Sequence, residues 1–86
     1  MTPRQIALDV AQAAATRIGE EIRNERTWKR QHPYVSYRYH TAMAASLPRW
    51  RLLARRFHKG EARRYAAHWQ ASNDAPKCRK AEALAQ

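Results

Sequence analysis

The spacing of apolar residues constrains this sequence most, because they recur every three or four positions through much of its length. In the first segment, Ile6, Val10, Ile18 and Ile22 share one helical stripe, with alanines beside them. Residues 34–45 are the only segment whose pattern is also compatible with a strand. The sequence therefore predicts an all-α chain, a small bundle of about four helices. Their expected ranges are roughly 3–26, 34–45, 48–58 and 61–71.

Capping residues and prolines set the expected boundaries of these helices. Thr2 followed by Pro3 is typical of a helix start. The Pro33 ring disfavours helical backbone at His32, so a boundary is expected there. Ser46, close before a proline in the sequence SLP, indicates a second helix start.

Residues 34–45 allow two interpretations. Val35, Tyr37 and Tyr39 alternate as they would in a strand, whereas Val35, Tyr39 and Met43 fall on one helical face. We favour the helix, because no other segment resembles a strand that could pair with this one. A strand here would instead indicate pairing across a homodimer, so self-association stays open.

Gly60 divides the stretch RWRLLARRFHKGEARRYAAHW, residues 49–69, into two apolar stripes that are out of phase. Leu53 and Phe57 belong to the first stripe, and Ala62 and Trp69 belong to the second. One straight helix cannot bury both stripes against one surface, so two short helices are expected, joined by a turn with Gly60 as the residue after the first helix. The large aromatic residues expected in the core are Trp50, Phe57, Tyr65 and Trp69.

The chain of 86 residues has room for one domain at most. The turn-forming sequence SNDAP follows the last predicted helix. We expect a single helical domain over residues 1–72. Residues 73–86 are expected to form a C-terminal tail that is either a short, frayed helix or disordered.

Positive charge is concentrated in the second half of the chain, which has a formal net charge of +10. Residues 1–26 contain as many acidic as basic side chains, whereas residues 47–70 contain seven basic residues and only one acidic residue, Glu61. Concentrated positive charge attracts polyanions, and arginine binds phosphate or carboxylate through two parallel hydrogen bonds. The residues expected to bind nucleic acid or an acidic partner are Arg51, Arg55, Arg56, Lys59, Arg63 and Arg64.

A second group of residues is expected at an interface. Aromatic and arginine side chains are enriched in interfaces, and Leu52 falls among cations, where a purely solvated surface would not need a leucine. The residues in this group are Trp28, Lys29, Arg30, Tyr34, Tyr37 and Leu52.

The sequence contains no recognisable catalytic or metal-binding pattern. The histidines His32, His40, His58 and His68, together with Cys78, lack the spacings of zinc sites. We therefore expect no metal, no cofactor and no enzymatic activity. A single cysteine is typical of a reducing compartment, which favours the cytoplasm. We expect no membrane association. No apolar run approaches the roughly 20 residues that span a bilayer. A third interpretation, an amphipathic basic helix lying on an anionic membrane, fits Trp50, Leu53 and Phe57 opposite arginines, but these apolar residues are expected in the core.

These observations favour a small, non-enzymatic protein that binds DNA or RNA mainly through phosphate contacts, without choosing between the two nucleic acids. The alternative is a protein-interaction module of the kind that phages and mobile elements encode. Such a module would act as an inhibitor or accessory factor. It would dock on an acidic surface of a larger nucleic-acid-processing complex, such as a nuclease, a polymerase or a CRISPR complex.

Overall fold

The computed structural model describes residues 2–19 and 32–85, and within these ranges the chain forms four α-helices and no strand. The predicted all-α bundle is confirmed, and the segment 34–45 is helical rather than extended. The helices are α1 (Pro3–Gly19), α2 (Pro33–Ser46), α3 (Leu52–Gln70) and α4 (Ala75–Ala85).

Helix α1 begins at the predicted cap, where the Gln5 backbone N–H donates to Thr2 Oγ1 at 3.2 Å. Its most buried face consists mainly of small side chains, which let α1 approach α2 closely. The predicted continuation of this helix, residues 20–26, lies outside the described residues. The side chains of the buried face are Ala7, Ala11, Ala15 and Ile18.

Helix α2 packs against α1 on one side and α3 on the other. Its start is the boundary predicted at His32, whose Nδ1 accepts a hydrogen bond from the Tyr34 backbone N–H at 3.1 Å. Pro33 occupies the first helical position, where its missing N–H is not needed. His32 Nε2 lies 3.0 Å from Asp74 Oδ2, which ties the start of α2 to the turn before α4.

The core is centred on Tyr34, which is fully buried. The Trp69 ring meets Tyr34 edge-on, with 5.3 Å between ring centroids, and Ile18 and Cys78 pack in the same cluster. The expectation that Tyr34 lies at an interface is therefore wrong, because its ring supplies the large apolar volume that a small bundle needs inside. The core position expected for Trp69 is confirmed.

Helix α4 is joined to α2 by a polar network around Glu82. The Glu82 carboxylate accepts hydrogen bonds from Tyr34 Oη, Tyr37 Oη and Arg38 Nη1, each at 3.1 Å. Tyr37, also expected at an interface, is half-buried and its hydroxyl has this internal partner. Of the two states expected for the C-terminal tail, the helical one is observed over Ala75–Ala85.

Helix α3 runs without interruption through Gly60, so the predicted division into helices 48–58 and 61–71 is wrong. Its packing face toward α2 uses small and aromatic side chains at helical spacing, among them Ala54, His58, Ala62 and Tyr65. The first apolar stripe is not on this face and stays in solvent. Because only one stripe is buried, the helix has no reason to turn at Gly60.

The core positions expected for Trp50 and Phe57 are wrong for the same reason, since they are 77% and 59% exposed. The helix also starts later than the sequence indicated. Ser46 belongs to α2, and the buried Leu47 closes that helix by donating its N–H to the Met43 carbonyl at 3.1 Å. A turn containing Pro48 then leads to the start of α3.

Candidate functional site

The solvent side of α3 has a basic flank with four cations, which we call the cationic row. An α-helix brings residues three and four positions apart onto the same side. The members of the row are Arg55, Arg56, Lys59 and Arg63. Arg55, Lys59 and Arg63 follow one another at four-residue intervals, which places successive side chains about 6 Å apart along the helix. Leu52, expected at an interface, is 69% exposed at the N-terminal end of this flank.

The cationic row borders two shallow grooves. The first, of about 360 Å³, lies between α2 and α3, where Ala44 and Ala45 leave space beside the cations. The second, of about 350 Å³, is lined by Leu52 and cations of the row. Arg55 lines both grooves, and its buried Nε has no hydrogen-bond partner among the described residues.

Two of the six predicted cations stand apart from the row. Arg51 precedes the helix, and its guanidinium carbon lies 5.3 Å from the centre of the Trp50 ring. Arg64 lies on another side of α3, where it donates to Glu61 Oε2 at 2.7 Å and covers the Tyr65 ring at 4.8 Å. The continuous helix therefore brings together four of the six residues and separates the other two.

The remaining predicted interface residues, Trp28, Lys29 and Arg30, lie outside the described residues. Sequence reasoning also missed an exposed surface on α3, which we call the apolar patch. It consists of Leu53 and Phe57 of α3 together with Trp50, which lies in the turn before the helix; all three come from the stripe assigned to the core. The signal for it was already present in the phase change at Gly60, because one of two out-of-phase stripes on a straight helix must stay exposed.

A pair of histidines between α2 and α3 was also missed, because 18 positions separate them in the sequence. The Nδ1 atoms of His40 and His58 lie 2.8 Å apart, and the Tyr65 ring stacks on His40 at 5.7 Å with an interplanar angle of 6°. Burial lowers the pKa of His40, and His58 lowers it further. Within residues 2–19 and 32–85 no three histidine, cysteine or carboxylate side chains are placed to hold a metal ion.

Comparison of the chain with protein-family models, with curated proteins and with solved structures gave no match. In the part of the chain that the structure describes, no helix has both the length and the apolar character to cross a membrane. The features of the molecule that indicate a function are therefore the geometry and charge of α3.

Proposed function

We propose that this protein binds nucleic acid through phosphate contacts made by the cationic row, without a catalytic step. The observation that supports this proposal is the alignment of four cations along two turns of one helix, beside a groove lined by alanines. The only carboxylate of α3, Glu61, is bonded to Arg64, which is not a member of the row. No carboxylate of α3 therefore neutralises the positive charge of the cationic row.

The length of the row fits a run of phosphates. Arg55 and Arg63 are eight residues apart, which corresponds to about 12 Å along an α-helix. One strand of B-DNA advances about 3.4 Å per phosphate along the duplex axis, so the row matches the length of roughly three to four phosphates. Phosphate contacts position a protein on a duplex but do not read bases. The proposal is therefore binding with little sequence preference.

The number of cations gives the expected salt dependence. If four phosphates are neutralised, the logarithm of the binding constant falls against the logarithm of salt concentration with a slope of about −3.6 on duplex DNA. Between about 50 and 200 mM salt, affinity should fall about 150-fold. The double variant R56Q/K59Q removes two exposed cations of the row, which should reduce the slope to about −1.8 and the loss to about 12-fold.

Fluorescence anisotropy with labelled duplex and single-stranded DNA and RNA measures these slopes. The matched control is R4Q/R64Q, which removes two positive charges from outside the row and should leave the slope close to that of the unmodified protein. Equal slopes for the two double variants would mean that net charge, not the row, determines binding. Absence of binding to all four nucleic acids at about 50 mM salt would refute the proposal.

The alternative is an acidic protein surface as the ligand of the same row, as on a nuclease or polymerase complex. Affinity purification after nuclease treatment distinguishes the two. A stoichiometric protein partner that survives the treatment and is lost in R56Q/K59Q would favour the alternative. Loss of all captured material with the nucleic acid would favour the proposal.

A further inference from the structure

The apolar patch is a second surface of α3, on a different side from the cationic row. Trp50 lies in the turn just before α3, and Leu53 and Phe57, which are four positions apart in the helix, project from one side of it. They are 77%, 83% and 59% exposed. Such a stripe normally packs against another element, but here the packing face of α3 is made by other side chains.

The exposed area is large for a protein of this size. An aromatic side chain contributes roughly 150–250 Å², so the exposed fractions of Trp50 and Phe57 together amount to roughly 200–340 Å². Leu53 adds to this area. The largest apolar patch of a typical soluble monomer covers about 300–600 Å² and often binds something. The apolar patch reaches the lower part of this range although the protein is small, which makes it a candidate docking surface.

The charges around the patch indicate the chemistry of that occupant. Its neighbours in sequence and on the helix are Arg49, Arg51, Arg56 and Arg64, all exposed. The only acidic residue of α3, Glu61, already forms an ion pair with Arg64 at 2.7 Å. An apolar surface bordered by cations is complementary to an apolar surface bordered by carboxylates.

A second copy of the chain fits this border poorly. In a second copy the patch has the same border, which includes Arg49, Arg51 and Arg56. Packing the patch of one copy against the patch of another would bring these cations close to cations of the same kind. Like charges in an interface cost binding energy.

We propose that the apolar patch docks an amphipathic helix of another protein, whose apolar stripe is bordered by aspartate or glutamate. Trp50, Leu53 and Phe57 pack into that stripe, and Arg51 and Arg56 bind the carboxylates beside it. Arg56 belongs to both surfaces, whereas Arg55, Lys59 and Arg63 remain available on the other side of α3, so the protein would hold an acidic helix on one side of α3 and nucleic acid on another.

The experiment uses two synthetic peptides of about 18 residues with identical composition. In the first, leucines form one helical stripe bordered by glutamates; in the second, the same residues are scrambled so that no stripe exists. Calorimetry with the full chain should show binding of the first peptide at least about tenfold tighter than the second. Labelled-protein NMR should place the affected amides at residues 50–57.

The double variant L53S/F57S should abolish the difference between the two peptides. Its matched control is L84S, which removes another exposed leucine, 62% accessible and on α4, and should preserve the difference. Equal affinity for the two peptides, or amide changes confined to other helices, would overturn the proposal. The comparison of the two peptides by calorimetry and the NMR mapping both use the unmodified chain, so these two results do not depend on the stability of a variant.

Two further outcomes would identify a different occupant and overturn the proposal. Self-association of the unmodified chain in sedimentation that disappears in L53S/F57S would identify a second copy. Quenching of tryptophan fluorescence by single-stranded DNA that disappears when Trp50 is replaced by alanine would identify stacked bases.

Discussion

Replacing Gly60 with alanine should stabilise this protein. The residue lies inside α3, is exposed and does not have a positive φ. A Cβ atom added there meets nothing within 4 Å. Alanine therefore fits the native backbone without a clash and restricts the unfolded chain more than glycine does.

The expected gain follows from the helix propensities of the two residues. In an exposed helix interior, alanine is more favourable than glycine by about 1 kcal/mol. For a domain of this size, that gain corresponds to a rise in melting temperature of about 4–8 °C. If Gly60 instead ended a helix in a left-handed turn, alanine would cost about 1–2 kcal/mol, so the sign of the change distinguishes the two structures.

Urea and thermal unfolding followed by far-ultraviolet circular dichroism measure this change. Arg56 provides the scale, because it is another exposed position inside α3. The difference between R56A and R56G gives the local cost of glycine in this helix, and G60A should gain about the same amount. A destabilised G60A variant, alongside the normal order of R56A and R56G, would refute a continuous α3.

Two further predictions concern the polar contacts of α2. The free energy of unfolding should decrease as pH falls below about 6.5, the ordinary histidine pKa, because burial lowers the pKa of His32 and His40 in the folded state. Below that pH the unfolded chain binds more protons than the folded chain. The contribution to stability is therefore present above about pH 6.5 and is lost as the pH falls toward the lowered pKa values. A urea unfolding midpoint that is higher at about pH 5 than at about pH 7.5 would contradict this prediction. The substitution E82A should destabilise the fold by about 2–3 kcal/mol, because two tyrosine hydroxyls and Arg38 lose a shared acceptor in a mostly buried network. Urea unfolding measures this loss of stability. The control Y34F should cost only about 1–2 kcal/mol, since the ring stays in place. If E82A destabilised the fold less than Y34F does, the result would count against the network.

The helical class and several boundaries of this fold were predictable from local sequence signals. Thr2 and Pro3 mark the start of α1, and His32 with Pro33 marks the start of α2, because capping and proline geometry act over a few residues. Trp69 was also placed correctly in the core. These features depend on short-range chemistry that a sequence displays directly.

The path of α3 was not predictable by the same means. The prediction assumed that Trp50 and Phe57 must be buried because the chain has few large side chains. The structure fills its core differently, with Tyr34, alanines and a fourth helix that contributes Cys78. Which of two stripes is buried depends on contacts with α2 and cannot be read from the periodicity of α3 alone.

The same difference explains the result for the candidate site. A turn at Gly60 left all six cations on the outer faces of two helices, whereas the straight helix sorts them by angle. Arg55, Lys59 and Arg63 share one side at four-residue spacing, and Arg64 is rotated away to pair with Glu61. The cationic row is therefore smaller than predicted but more regular.

Cys78 can serve as a built-in chemical probe of how often α4 separates from the rest of the bundle. Its thiol is fully buried, and burial raises its pKa to about 12, so a thiol reagent at neutral pH meets neither an accessible sulfur nor a thiolate. Modification requires α4 to separate from Tyr34 and Trp69. Because Cys78 is the only cysteine, the rate at which the unaltered protein reacts reports how often its last helix opens.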